Sequence, residues 1–192
     1  MNPKLLVGIV GQPLAGKDLA AAGLQVRHGF LEVSSSDRLR EHMRSLGLDE
    51  LDRMKMNVES TRLRHHHGAD FLVRWILDEH PDTLRLSISG LRLVEEVNML
   101  RRHGGILIAV GASQEIRFQR LKLRNRPGDD ITWEQFLEIE RIESDSNDSL
   151  KHNVNAVMAL ADYKIQNDGT VDEFNRAFDA LIEQLILKSN AY

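Results

Sequence analysis

The sequence predicts an α/β fold in three layers, a parallel sheet with helices on both faces. Three observations lead there. Short apolar runs bounded by glycine, Leu5 to Val10 and Gly105 to Gly111, read as buried strands of a parallel sheet. Stretches of helical spacing follow each run, so strand and helix alternate along the chain. With 192 residues, 42% of them hydrophobic, the chain has the material for one domain with its own core.

The elements follow in order. Lys4 to Gly11 is the first strand, and Asp18 to Arg27 the first helix, with Leu24 near Leu19 and Ala20 on one face. Phe30 to Val33 is a second short strand. Ser34 to Asp37 offer N-caps to a helix from Arg38 towards Leu46, which Gly47 closes. Residues 49 to 79 are helical with a break near Gly68, and Phe71, Leu72, Trp75 and Ile76 share one buried face. Pro81 ends that excursion, and Leu84 to Ser89 alternates apolar and polar before Gly90, as a strand does. Val94 to Arg102 is helical, Gly105 to Gly111 a buried strand, and Gln114 to Arg124 helical again.

Asn125 to Asp130 is a turn-rich break, after which Thr132 and Gln135 stand at the spacing of a capping box. Tyr163 to Gln166 is the last strand, and Val171 to Leu187 the closing helix. The segments 49–79 and 125–160 carry no clear strand and are expected as helical inserts above the strand ends, where open α/β sheets bind ligands.

Composition removes several function classes. With no cysteine, disulfides, zinc ribbons and thiol nucleophiles are excluded. Lys and Arg number 25 against 29 Asp and Glu, so no global basic surface draws nucleic acid. The apolar runs are too short to cross a bilayer, and no signal-peptide pattern precedes them. The expectation is a cytoplasmic protein, monomer or homodimer, with small-molecule rather than nucleic-acid or membrane partners.

Chemistry concentrates at Gly11-Gln12-Pro13-Leu14-Ala15-Gly16-Lys17, which has the Walker A spacing G-x-x-x-x-G-K between a strand and a helix. Backbone amides in such a loop point at phosphate oxygens, and the lysine reaches the β and γ positions. The nucleotide-binding run is expected to continue through Asp18 and Leu19. Asp18 stands where Ser or Thr would give magnesium a hydroxyl. It reads either as a metal ligand, direct or through water, or as an aspartate favouring the helix dipole.

Arg117, Arg120 and Arg124 recur at i, i+3 and i+7 on one helix face beside the acidic turn. They suit a closing lid that neutralises a transferring phosphoryl group, or a row of surface arginines paired with Glu115 or Glu134. Asp37, Arg40 and Arg92 lie after the second and third strands, where arginine can grip an anion, although a solvated helix end explains them equally. His65, His66 and His67 are consecutive, so they point about 100 degrees apart and cannot share a ligand face. Met43, Met54, Met56, Met99, Trp75 and Trp133 sit at core-like spacings and need no cofactor.

Together these segments resemble the nucleoside-monophosphate-kinase-like branch of the P-loop NTPases, and within it an archaeal group related to adenylate kinase and dephospho-CoA kinase. Ser36 to Arg40 looks like the acceptor segment with its Asp-x-x-Arg core, and Ser89 to Arg92 like the Asp-Gly-x-Arg segment ending the third strand. Arg117 to Arg126 with Asp129 and Asp130 looks like the lid, and Ala161 to Thr170 like the closing strand with its purine-side loop. The resemblance implies one P-loop kinase domain over 1–192, with an acceptor-binding insert at about 37–80 and a lid at about 117–145.

It also implies ATP and Mg2+ as cofactors. Lys17 and the loop would hold phosphates, Arg40 and Arg92 the acceptor, Arg120 and Arg124 the transferring group, and Asn167 to Gly169 would border adenine. The expected reaction is transfer to a nucleoside or deoxynucleoside monophosphate. A hydroxyl acceptor, as in dephospho-CoA kinase, would use Asp37 as its carboxylate. Ser89 departs from the pattern by replacing an acidic residue. Asp18 compensates in one reading, as in kinases of deoxynucleotides and phosphomevalonate with a Gly-Lys-Asp loop; in the other the chain is a nucleotide-binding switch with little chemistry.

Overall fold

In a computed structural model, residues 5–48, 53–126, 128–144 and 153–190 are described. Lys4, Pro127 and the parts of the predicted inserts at 49–52 and 145–152 lie outside them. The described strands are β1 Leu5–Gly11, β2 Leu31–Ser34, β3 Arg85–Ser89, β4 Ile106–Gly111 and β5 Tyr163–Gln166. All pair in parallel, in the order β2-β3-β1-β4-β5. The described helices are α1 Lys17–His28, α2 Ser35–Ser45, α3 Arg53–His67, α4 Phe71–Glu79 and α5 Val94–Arg102. The rest are α6 Gln114–Arg124, α7 Trp133–Ser144, α8 Val154–Ala159 and α9 Val171–Ser189.

β1 is buried at every position because it is the central strand, with helices covering both faces. On one face Leu6, Val10, Leu86, Ile88 and Leu107 pack against residues of α4, α5 and α8, including Ile76, Val97 and Val157. On the other, Val7, Ile9, Ile108 and Val110 pack against α1 and α9 through Ala20, Leu24, Phe174 and Phe178. This is the three-layer P-loop fold. After β1 the chain crosses to edge strand β2 and returns through β3 on one side, and after β3 it crosses to β4 on the other, so the crevice at the carboxyl end of β1 is the topological switch point.

Several expectations shift. α2 begins at Ser35, one turn before the expected Arg38, because Ser34 Oγ accepts from the Asp37 amide and caps the helix there. The predicted apolar face of α4 divides: Ile76 joins the sheet core with Val73 and Leu77, whereas Phe71 packs on Leu39, Met43 and Leu63 of the insert. Met43 and Met99 are buried, but Met54 is 75% exposed, since the helical period of α3 turns it outward. Thr132 and Gln135 form the expected reciprocal cap, the Gln135 Oε1 accepting from the Thr132 amide at 2.8 Å. No described helix is long and apolar enough to cross a membrane.

Candidate active site

The loop from Gly11 to Lys17 is shaped by two glycines for two reasons. At Gly11 a Cβ would collide with the Val110 carbonyl, because β1 and β4 run side by side there. Gly16 is the N-cap of α1 with φ +101°, a left-handed conformation that favours glycine, and a Cβ there would strike the Asn167 amide. Leu14 also has positive φ, at +66°, and such strain persists only where surroundings enforce it.

The enforcement is visible. Asn167, 3% exposed, donates from Nδ2 to the Ala15 carbonyl at 2.8 Å. Arg120 donates to the Leu14 and Ala15 carbonyls at 3.1 and 3.4 Å and to the Asn167 carbonyl at 2.8 Å. Those bonds occupy the carbonyls, and within the turn the Ala15 amide donates to the Gln12 carbonyl at 3.2 Å. The amides of Lys17 and Asp18 open α1 and have no preceding helical carbonyl, so the helix presents donors and a positive dipole end.

Two site expectations change character here. Arg120 braces the loop from behind because α6 lays its middle turn against the β1–α1 connection; it does not project from a lid. Asn167 is likewise turned inward, leaving Asp168 and Gly169 as the exposed members of the purine-side loop. Asp168 accepts from the Ser113 amide at 2.6 Å and from Gln166 at 2.9 Å, and these bonds lower its pKa. Pro13 is exposed, and Leu19 packs its side chain towards the α1 core.

The three arginines of α6 share a face, as expected, but each meets a different partner. Arg117 is buried, ion-paired with Glu140 of α7 and bonded to the Ala112 carbonyl at 3.0 Å. Arg124 donates to both oxygens of Asp129, at 2.9 and 2.6 Å. Asp129 is 5% exposed and also accepts from the Arg126 amide; the Arg124 guanidinium, then that amide, hold its pKa down at about 2. Their partners are therefore Glu140 and Asp129, not Glu115 or Glu134, because the turn folds back under α6.

On the other side of the loop, Ser35 Oγ donates to the Gly90 carbonyl at 3.0 Å, and a Cβ on Gly90 would come within 2.7 Å of that hydroxyl. This close approach joins the first turn of α2, with Asp37 and Arg40, to the connection carrying Arg92. Asp37 and Arg40 are ion-paired with each other on the surface. Glu96, fully buried, accepts from the Arg92 and Leu93 amides at 2.7 and 3.2 Å and from Arg64 of α3 at 2.8 Å. Arg64 and Glu96 were not foreseen; their separation of 32 positions leaves no local pattern.

Nor was Glu32 foreseen. Ser89 Oγ donates to Glu32 Oε1 at 2.6 Å, so a carboxylate stands beside the position where the pattern lacks one. Burial raises the Glu32 pKa, the Ser89 bond opposes that, and the charges of Asp37 and Asp18 reinforce it. The signal available in sequence was the departure at Ser89 itself.

The residues fit a nucleotide with magnesium. Lys17 Nζ lies 3.7 Å from Asp18 Oδ1, and Asp18 is exposed at the mouth of the loop. Gln12 Oε1 is buried without a hydrogen-bond partner among the described residues. No group of three His, Asp or Glu side chains is arranged to hold a metal among the described residues. Asp18 is one carboxylate open to magnesium, an ion that takes one or two and leaves the remaining positions to phosphates and water. The histidine run is exposed, with His67 stacked on Phe71 at 4.6 Å between ring centroids.

Comparison with known proteins follows the same lines. The chain is 32% identical over 193 residues to the UPF0200 protein of Thermococcus gammatolerans, covering 95% of this chain and 96% of that one. It is 31% identical to the UPF0200 protein of Thermococcus kodakarensis, covering 96% and 100%. Among solved structures, shikimate kinase from Bacteroides thetaiotaomicron superposes with a TM-score of 0.62 at 15% identity, covering 93% of this chain and 98% of the other. Shikimate kinase from Acinetobacter baumannii, in complex with shikimate, gives 0.59 at 14%, covering 100% and 97%. At such identities the likeness is one of fold. No family model matches the chain.

Proposed function

The chain belongs to the UPF0200 family, and on that premise we propose that it is an ATP-dependent kinase moving the γ-phosphoryl group to a small phosphorylated acceptor, a nucleoside or deoxynucleoside monophosphate. The observation that carries this reading is the braced loop: left-handed Gly16 and Leu14, fixed by Asn167 and Arg120, at the switch point of a parallel sheet. The kinase folds it superposes on support the same class of chemistry.

Lys17 and the amides of Gly16, Lys17 and Asp18 bind the β and γ phosphates. Asp18 is the carboxylate that meets the metal. Magnesium, when bound, would supply charge that offsets the phosphates. Arg40 and Arg92 grip the acceptor phosphate from the joined ends of β2 and β3. Arg40 is exchangeable for this task, because its exposed pair with Asp37 contributes little to stability. Arg124 reaches the transferring group if the turn after α6 closes, giving up Asp129 for phosphate. Arg120 acts earlier, by keeping the loop in shape. No general base is needed, since the acceptor already presents an anionic oxygen.

The test is magnesium-dependent ADP release from ATP across nucleoside and deoxynucleoside monophosphates and dephospho-CoA, with Lys17→Ala as the blank. Release stimulated by one monophosphate class and abolished in the variant is expected. Stimulation by dephospho-CoA alone, lost in Asp37→Asn, would instead make the acceptor a hydroxyl. ATP binding without stimulation by any acceptor would make the chain a nucleotide switch.

A further inference from the structure

We propose that Glu32, on edge strand β2, supplies from the neighbouring strand the carboxylate that the end of β3 lacks, and that with Asp18 it positions the divalent cation's water shell at the phosphate loop. The inference rests on the kinase reading above and adds a residue to its metal side.

The sheet register carries it. Glu32 pairs with Ser87 and Ser34 with Ser89, so Glu32, Ser87 and Ser89 project to one face. Ser87 and Ser89 pair in turn with Val7 and Ile9 of β1, whose side chains lie under α1. Glu32 is therefore on the face from which Lys17 and Asp18 rise. A serine Oγ occupies the place where an aspartate at that position would begin its carboxyl group, and here that Oγ holds Glu32 Oε1 at 2.6 Å. Neighbouring strands are about 4.8 Å apart, a gap that the longer glutamate side chain spans.

The electrostatics of the site agree. Glu32 is half-buried, where a charged carboxylate loses solvation, and Asp37 and Asp18 add repulsion. One hydroxyl opposes these costs. A divalent cation held at Asp18 would relieve that repulsion, and its water shell would offer donors to the Glu32 carboxylate. The charge missing at Ser89 is thus displaced by one strand rather than lost, and Asp18 does not have to replace it alone.

The experiment measures binding, not turnover. Calorimetric titration of a non-hydrolysable ATP analogue is run with and without Mg2+ on the wild-type chain, on Glu32→Gln, and on Glu32→Gln combined with Ser89→Asp. Partners that orient metal ligands typically govern metal affinity by 10–100-fold, so Glu32→Gln is expected to cut the magnesium enhancement of nucleotide affinity about tenfold. Metal-free affinity should stay level or improve, and the double variant should recover the enhancement, because the carboxylate is returned on β3.

Equal loss of affinity with and without Mg2+, unrepaired by Ser89→Asp, would make Glu32 a purely structural residue and overturn the proposal. So would an unchanged magnesium enhancement in Glu32→Gln. A wild-type chain that binds no nucleotide would overturn the kinase reading and this inference together, whereas loss of the enhancement in Glu32→Gln alone can arise only with nucleotide binding intact.

Discussion

The two sides of the site are built differently. On the nucleotide side, the loop is fixed through its backbone: carbonyls of Leu14 and Ala15 are held by Asn167 and Arg120, and Leu14 and Gly16 adopt left-handed conformations. On the acceptor side, the residues that would meet a substrate are exposed and paired locally, as Asp37 is with Arg40. Only the scaffold beneath them is buried, in the Arg64–Glu96 pair under the Arg92 connection. The difference teaches where variation is tolerated. In the proposed assignment, side chains of the acceptor side can be exchanged at the surface, while Gly11, Gly16 and the residues that brace the loop cannot be replaced without changing its shape.

The strongest way to break this contrast is to attack the scaffold of the acceptor side. Arg64→Ala leaves Glu96 charged and 0% exposed with no guanidinium beside it, and breaking a buried pair costs about 3–5 kcal/mol. Thermal unfolding should show that loss, and acceptor KM should rise while nucleotide affinity holds.

Next comes Asn167→Ala. It removes the shorter of the two bonds to the buried Ala15 carbonyl and leaves only Arg120 at 3.4 Å, a cost of about 1 kcal/mol. Its effect should fall on ATP affinity, measured by titration, with acceptor KM at saturating ATP unchanged. A variant that alters both equally would erase the distinction between the two sides.

Arg40→Ala should be the mildest in stability, within about 0.5 kcal/mol by denaturant titration, because exposed ion pairs contribute little. It should nonetheless raise acceptor KM, and an unchanged KM would remove Arg40 from the acceptor site.

A smaller effect separates the turn after α6 from both sides. The folded pKa of Asp129, about 2, lies below its ordinary value of 3.8. Its contribution is therefore present above pH 4 and is lost as the pH falls through the folded value. Between pH 5 and pH 2 the wild-type chain should lose more thermal stability than Asp129→Asn, whose side chain does not titrate. Parallel curves would show that the Arg124–Asp129 pair does not hold the turn.

What sequence makes legible divides along the same line. The strand, glycine loop and helix of the nucleotide side are local in sequence, and the bounds of α5, α6 and β5 match their apolar periods. The Thr132 cap is also local, three residues wide. Bonds between distant segments are not legible in this way. Periodicity puts Arg117, Arg120 and Arg124 on one face but cannot say that Glu140, the loop carbonyls and Asp129 lie opposite. Glu32 is one acidic residue in a short strand, and it gains meaning only when the register sets it beside Ser89. Ser34 is one of three consecutive serines, any of which could cap α2, and only backbone geometry selects it.

The central claim is that the loop from Gly11 to Lys17 is a formed phosphate cradle. Its most direct test is calorimetric titration of ATP with Mg2+ into the wild-type chain and into Lys17→Ala, with melting temperatures measured on both. Binding to the wild-type chain, weakened at least about tenfold in the variant at an unchanged melting temperature, is the expected result, since a charge-assisted contact is worth about 1.5–3 kcal/mol. Equal affinity in the two chains, or none in the wild type, would contradict it.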